Sequence, residues 1–170
     1  DGKTLNTSAI QKAINACSSN GGGRVVVPQG TFLSGGLVLK SHVELHIEKD
    51  AVILGSPYIK DYTERYPTTD VRYKKYLRRA LVFAQDAKNI TVSGEGTLNG
   101  NAQLSAGLGQ LVDSNKKHKR EVERPCILWF DNCVNVIVKG ITYKNSGMWT
   151  ETYSRCRNVH VDGIKVKENY

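Results

Sequence analysis

A repeated phrase near the end of the sequence is the feature that most constrains the fold. Residues 133–145 and 156–169 share a Cys, an Asn two positions later, alternating valines, and a Gly–Ile pair. Asn135 and Asn158 hold equivalent places and are 23 residues apart. The valines alternate with other residues and no helical period fits, so each copy predicts a short strand, a glycine turn and a second short strand.

The same phrase recurs twice upstream. Asn89 lies 46 residues before Asn135, and His42, in a fainter copy, lies 47 residues before Asn89. We interpret both spacings as two periods of 23. A sandwich or barrel gives no reason for such recurrence, whereas a coil that closes one circuit in ~23 residues stacks each strand ~4.8 Å above its counterpart. The sequence therefore predicts an all-β fold, a parallel β-helix.

Stacking also explains the residue types. Val136 is expected above Val159, and the side-chain amides of Asn135 and Asn158 can hydrogen-bond along the stack. Cys133 and Cys156 occupy equivalent positions, where cysteines serve as small apolar fillers. Whether they form a disulfide stays open. No C-x-x-C pattern occurs among the four cysteines, so we expect no metal cluster.

The N-terminal segment predicts one helix, over about residues 6–18. Asn6 or Thr7 can cap it, and it ends before a run of glycines. One apolar stripe is formed by Ile10, Ala13, Ile14 and Cys17. Because the first coil of a β-helix leaves an open end that needs a lid, this helix is expected to cap the solenoid.

We predict a single domain over residues 1–170, with coils from about residue 24. Two polar insertions, at about 56–79 and 102–123, interrupt it. Long loops on a rigid coil are where ligand contacts tend to lie. No membrane-spanning run and no signal peptide are present in the chain.

The formal charge of +8 favours an anionic partner. The excess is concentrated in residues 72–79 and 116–124, in or directly beside the insertions. These stretches are either solvated loops or a surface for an acidic polysaccharide. No recognition helix, RNP-type motif or zinc finger accompanies them, so we do not expect nucleic acid as a partner, and no membrane either.

Several motifs together resemble the polygalacturonases, glycoside hydrolase family 28. They are Asp1-Gly2 with Asn6-Thr7 and Ala9-Ile10-Gln11, Gly94-x-Gly96-Thr97-Leu98-Asn99-Gly100, Arg124-Pro125, Cys133-x-Asn135-Val136 with Gly140-Ile141-Thr142, and Asn145-Ser146-x-x-Trp149-Thr150. The resemblance implies a right-handed parallel β-helix that hydrolyses galacturonide linkages of pectin by inversion. It also implies a secreted or periplasmic, cell-wall-degrading enzyme.

The family's N-x-D, Asp-Asp and G-H-G catalytic motifs are absent from these 170 residues. In the family, an N-x-D segment, an Asp-Asp pair, G-H-G and R-x-K follow the point that matches Tyr170. Asp131 and Asp162 lie at repeat corners without a matched partner, so we assign no catalytic residue here. We expect an incomplete coil at the C-terminal end, catalytic carboxylates beyond residue 170, and an inactive isolated chain.

Candidate substrate-binding residues remain. Trp149 could stack on a sugar ring, and Glu151 and Thr152 stand beside the spot that the family uses, although the family often has His at the position of Thr152. Cationic candidates for uronate carboxylates are Arg72, Arg78 and Arg79. The histidines of the predicted strands, His42, His46 and His160, are expected to face outward. No cofactor and no metal site is expected.

Two other functions stay open at this point. One is a non-catalytic β-helix that binds an acidic polysaccharide such as pectin, polygalacturonate or oligogalacturonides. The other is a polysaccharide lyase or epimerase on the same fold, for which the sequence shows no calcium-binding cluster. Because a coil cut at Tyr170 would expose strand edges, self-association is also expected.

Overall fold

The computed structural model describes residues 1–66, 78–102 and 124–167. Fourteen strands in these ranges form three sheets whose paired strands are all parallel. Sheet 1 contains β1 (Gly23–Val27), β4 (Val43–Ile47), β7 (Lys88–Gly94), β10 (Val134–Lys139) and β13 (Arg157–Asp162). Sheet 2 contains β2 (Gly30–Ser34), β5 (Ala51–Gly55), β8 (Thr97–Asn99), β11 (Thr142–Lys144) and β14 (Lys165–Lys167). Sheet 3 contains β3 (Leu37–Val38), β6 (Ala80–Gln85), β9 (Cys126–Asp131) and β12 (Glu151–Ser154). The chain visits the three sheets in turn, so the predicted parallel β-helix is confirmed.

The register confirms the 23-residue repeat and corrects its upstream extension. Val136 pairs with Val159, as the repeat predicts. The 46-residue spacing is a single circuit, however, because β7 pairs directly with β10. The 47-residue spacing between β4 and β7 is likewise one circuit. Each of these circuits contains one of the predicted insertions, parts of which lie outside the described residues.

The main core lies inside the coil. Its side chains come from all three sheets and stack in rows along the axis, such as Leu45, Val92 and Val138 in sheet 1, which are fully buried. Alternation along each strand sends the neighbouring side chains outward. His42 and His160 are exposed and His46 is part-exposed, as the alternation predicts.

The corners are built from residues with positive φ. At the start of the sheet 1 strands, Asn89, Asn135 and Asn158 have φ between 54° and 57°. Their amides form a ladder in which Asn158 donates to Asn135 at 2.9 Å and Asn135 donates to Asn89 at 2.8 Å. The predicted amide stack is therefore confirmed, and it recurs because asparagine tolerates this backbone region better than most residues.

The helix α1 (Thr7–Ser19) contacts β1, β3 and β4 and covers the first coil. Ile14 is fully buried, while Ile10 and Cys17 are partly buried against the core. Two expectations were wrong in detail. Ala13 is exposed, because only the narrow line of the helix nearest the strands is covered. Asn6 occupies the N-cap position without a side-chain capping bond, and its amide donates to the Thr4 carbonyl.

Candidate functional site

The outer side of sheet 3 carries one of the predicted site residues, Thr152. The register places Val38, Phe83, Trp129 and Thr152 side by side on β3, β6, β9 and β12. Phe83 and Trp129 belong to a second apolar cluster, separate from the main core, and their rings meet edge to face at 4.8 Å. We call this row the outer row of sheet 3.

Thr152 is the predicted residue that lies on this row. Its Oγ1 and the indole Nε1 of Trp129 are both buried, and neither has a hydrogen-bond partner in the part of the chain that the structure describes. Buried polar atoms of this kind are uncommon. The two groups are in register on adjacent strands, so a donor and a hydroxyl lie side by side on this row.

Glu151 points the other way. It is in register with Leu128 of the main core, and its Oε1 is buried. The phenols of Tyr143 and Tyr153 face this carboxylate. Burial is the main reason that the pKa of both phenols is raised, and the negative charge of Glu151 raises each pKa further. Glu151 therefore lies inside the coil, on the opposite side of β12 from Thr152, a placement that its sequence neighbours do not reveal.

Arg78 and Arg79 hold the loop that follows β5. Arg78 Nη1 lies 3.0 Å from Glu64 Oε1, and Arg79 Nη2 lies 3.7 Å from Glu64 Oε2. The Arg79 guanidinium also donates to the Tyr62 carbonyl. A hydrogen bond from Tyr66 and the two arginines lower the pKa of Glu64. Both arginines are thus engaged in shaping the loop, and Arg72 lies outside the described residues.

Aromatic side chains are exposed around the same loop. Tyr58 and Tyr66 are 49% and 60% exposed, and the Arg78 guanidinium lies 5.9 Å from the Tyr66 ring. Trp149, on the segment before β12, is 37% exposed. Exposed aromatic rings are surfaces on which sugars can stack. Sequence reasoning identified the insertion as a ligand-binding segment but did not single out these two tyrosines.

The two carboxylates near repeat corners do not converge. Asp131 ends β9 in sheet 3, is fully buried, and accepts a hydrogen bond from Gln85 Nε2 at 3.2 Å. Asp162 ends β13 in sheet 1, is exposed, and is in register with Lys139. Because they belong to different sheets, they do not form an acid and base pair.

The described residues also bear on metal and membrane binding. Within residues 1–66, 78–102 and 124–167, no group of three His, Cys, Asp or Glu side chains could hold a metal ion. Among the helices described there, none has the length and hydrophobicity required to cross a bilayer.

The family model described as Glycosyl hydrolases family 28 matches residues 17–169, so the chain belongs to that family. This confirms the resemblance found in the sequence.

Individual relatives agree with the family match. The chain is 43% identical over 110 residues to the exo-poly-alpha-D-galacturonosidase of Dickeya chrysanthemi, covering 59% of this chain and 18% of that protein. It is 28% identical over 176 residues to a Vitis vinifera protein named "Probable polygalacturonase", covering 98% of this chain and 34% of that protein. The solved family 28 exopolygalacturonase of Yersinia enterocolitica superposes with a TM-score of 0.85 at 26% identity, covering all of this chain and 37% of that one. The chain thus spans about a third or less of these relatives.

Proposed function

We propose that this chain forms the N-terminal coils of a pectin-degrading polygalacturonase that hydrolyses galacturonide linkages with inversion. The observation that carries the proposal is the family match over residues 17–169. The net charge of +8 supports it, because polygalacturonate is a polyanion and an excess of Lys and Arg favours its approach.

The catalytic carboxylates are proposed to lie after residue 170. Inversion requires a general acid and a general base ~6.5–9.5 Å apart, with a water molecule between them. Asp131 and Asp162 lie on different sheets and do not meet this requirement. The family's N-x-D and Asp-Asp motifs do not occur in the 170 residues. Coils that stack on β12, β13 and β14 would place such carboxylates next to the outer row of sheet 3.

The part of the enzyme described here would then bind and orient the polymer. Tyr66, Trp149 and Thr152 are proposed to contact sugar rings, and the Arg78 guanidinium, 35% exposed, a uronate carboxylate. Glu151 is not included, because its carboxylate faces the interior.

Reducing-sugar release from polygalacturonate, measured beside an intact mass, tests this proposal. The 170-residue protein, with a mass of 18.8 kDa, is expected to bind the polymer without cleaving it. The product of the complete gene is expected to be larger and to release reducing ends with inverted anomeric configuration, which proton NMR detects. A complete gene product that binds but releases no sugar would instead support the non-catalytic binding function.

Secretion follows from the proposed substrate, since pectin is a cell-wall polymer. We expect the complete gene to encode a leader sequence. We also expect the protein in the culture medium or periplasm rather than in the cytoplasm. Cytoplasmic retention of the active enzyme would contradict this part of the proposal.

A further inference from the structure

A groove lies between α1 and the loop that follows β5. Its volume is about 680 Å³, within the range of ~300–1,000 Å³ that small-molecule sites occupy. Lys12 and Asn15 line it from the helix, Lys40 from the segment after β3, and Thr63 and Arg65 from the loop. We call it the cap groove.

The charge in the cap groove is predominantly positive. Lys12, Lys40 and Arg65 contribute three cations, against the single carboxylate of Asp61. Asp61 already accepts a hydrogen bond from the Ser56 hydroxyl. Lys12 and Lys40 are exposed, and neither forms an ion pair within the described ranges. An anionic ligand could therefore meet both ammonium groups without first displacing a carboxylate.

The walls of the cap groove are fixed by specific hydrogen bonds. Gln11 accepts from the Val38 backbone N–H at 2.7 Å and donates to the Val38 carbonyl at 2.9 Å, which binds α1 to the edge of sheet 3. Thr7 Oγ1 accepts from the Gly35 N–H at 2.7 Å. On the other wall, the Arg65 guanidinium lies 5.4 Å from the Phe83 ring. Because the groove is already formed, ordering it on binding costs little conformational entropy.

The cap groove ends beside the outer row of sheet 3. Val38 and Arg65 line the groove and also pack beside Ala80 and Phe83. Val38 is the first member of the outer row, and Thr152 is the last, three strand spacings or roughly 14 Å further along the axis. A polymer bound near Thr152 would reach the groove by crossing this distance over the surface, because Phe83 and Trp129, between Val38 and Thr152, are buried.

We propose that the cap groove is an accessory subsite that binds the carboxylates of a uronate-containing polysaccharide, remote from the reacting bond. The inference takes its ligand class from the proposed function, and it adds a separate point of attachment at the capped end of the solenoid. Lys12 and Lys40 pair with successive carboxylates, and Arg65 pairs with a carboxylate where the groove meets sheet 3. Chains long enough to reach the groove bind more tightly than short oligomers.

A charge-matched pair of variants tests the inference on the 170-residue protein. The groove variant carries Lys12→Gln, Lys40→Gln and Arg65→Gln. The control carries Lys49→Gln, Lys88→Gln and Arg157→Gln, three exposed cations outside the groove. Each variant lowers the net charge from +8 to +5. In titration calorimetry with polygalacturonate at low salt, the groove variant is expected to bind about tenfold more weakly, and the control within about twofold of the parent.

Three results would overturn the inference: equal weakening in both variants, no weakening in either, or equal affinity of the parent for polygalacturonate and its fully methyl-esterified form. The variant K12Q/K40Q changes only exposed side chains, and it should retain the thermal unfolding midpoint while losing part of the affinity. Since binding is measured here and sugar release tests the proposed function, failure of one is distinguishable from failure of the other.

Discussion

The last two coils of the β-helix have similar sequences and different surroundings. The coil of β10 and β11 is paired on both sides, β10 with β7 and β13, and β11 with β8 and β14. On the last coil, β12, β13 and β14 are each the terminal strand of their sheet among the described residues. Val138 of β10 is fully buried, whereas Val161, its register partner on β13, is 38% exposed.

This difference shows that burial in a solenoid depends on the neighbouring coil rather than on the residue. The two valines have the same type, the same place in the repeat and the same strand conformation. Only the coil above them differs. Paired substitutions in the two coils should therefore have unequal effects.

The largest difference in unfolding free energy is expected between the two glycine corners. Gly140 has a φ of 76°, and a Cβ added there would lie 2.5 Å from the Gly94 carbonyl oxygen. Gly163 has a φ of 60°, but its nearest neighbouring atom would be 3.8 Å away. Gly140→Ala is expected to lower the free energy of unfolding by about 3 kcal/mol, from strain and clash, and Gly163→Ala by about 1 kcal/mol, from strain alone. Urea denaturation followed by circular dichroism measures both, and equal losses would contradict the comparison.

The next largest difference in unfolding free energy is expected between the two valine positions. Val138→Ala removes fully buried methyl groups and is expected to cost about 2 kcal/mol of unfolding free energy. Val161→Ala, at a position 38% exposed, is expected to cost less than about 1 kcal/mol. The same urea titrations provide the measurement. If a longer gene product is available, the two costs should become equal in it, because a further coil would cover Val161.

The asparagine ladder offers a smaller contrast. Asn135 makes two ladder hydrogen bonds and Asn158 makes one. Substitution with glycine keeps the positive φ accessible and removes only the side chain. Asn135→Gly is expected to cost about 1–2 kcal/mol and Asn158→Gly about 0.5–1 kcal/mol, in thermal unfolding. A larger loss at Asn158 would show that the ladder is not the stabilising element.

Cysteine reactivity should also separate the coils. Burial raises the pKa of the Cys126 thiol to about 12. A hydrogen bond with Cys133 lowers the pKa of the half-buried Cys156 thiol. The same hydrogen bond is the main reason that the pKa of the Cys133 thiol is raised, and burial raises it further. Iodoacetamide at pH 8 is therefore expected to alkylate Cys156 and leave Cys126 and Cys133 unmodified in the folded protein. Peptide mass analysis reads this out, and fast labelling of Cys126 would refute it.

The exposed strand edges of the last coil predict that the isolated 170-residue protein self-associates. Val161→Lys places a charge in the exposed apolar row and is expected to reduce association in light scattering. Val26→Lys is the matched control, since Val26 is 47% exposed on β1 at the opposite end. A monodisperse monomer at high concentration for the parent protein would contradict the prediction.

Much of this fold was accessible from the sequence. The spacing of Asn135 and Asn158 gave the coil length, and the alternation of Val136 and Val138 identified the inward side. The interpretation of 46 residues as two coils failed, because a spacing counts residues and does not distinguish a coil from an inserted loop. The substrate-binding residues stay predictions, and the opposite orientations of Glu151 and Thr152 were visible only once β12 was placed in register with β9.

The sequence by itself determined the coil, its cap helix and its family, because those follow from local periodicity and from motifs in a fixed order. Only the tertiary structure decided which equivalent residues are buried, that Arg78 and Arg79 share Glu64, and that Lys12, Lys40 and Arg65 line one groove. The physical reason is that these properties depend on distances between atoms far apart in the chain. A repeat fixes what each coil is made of, while the coils around it fix what each side chain contacts.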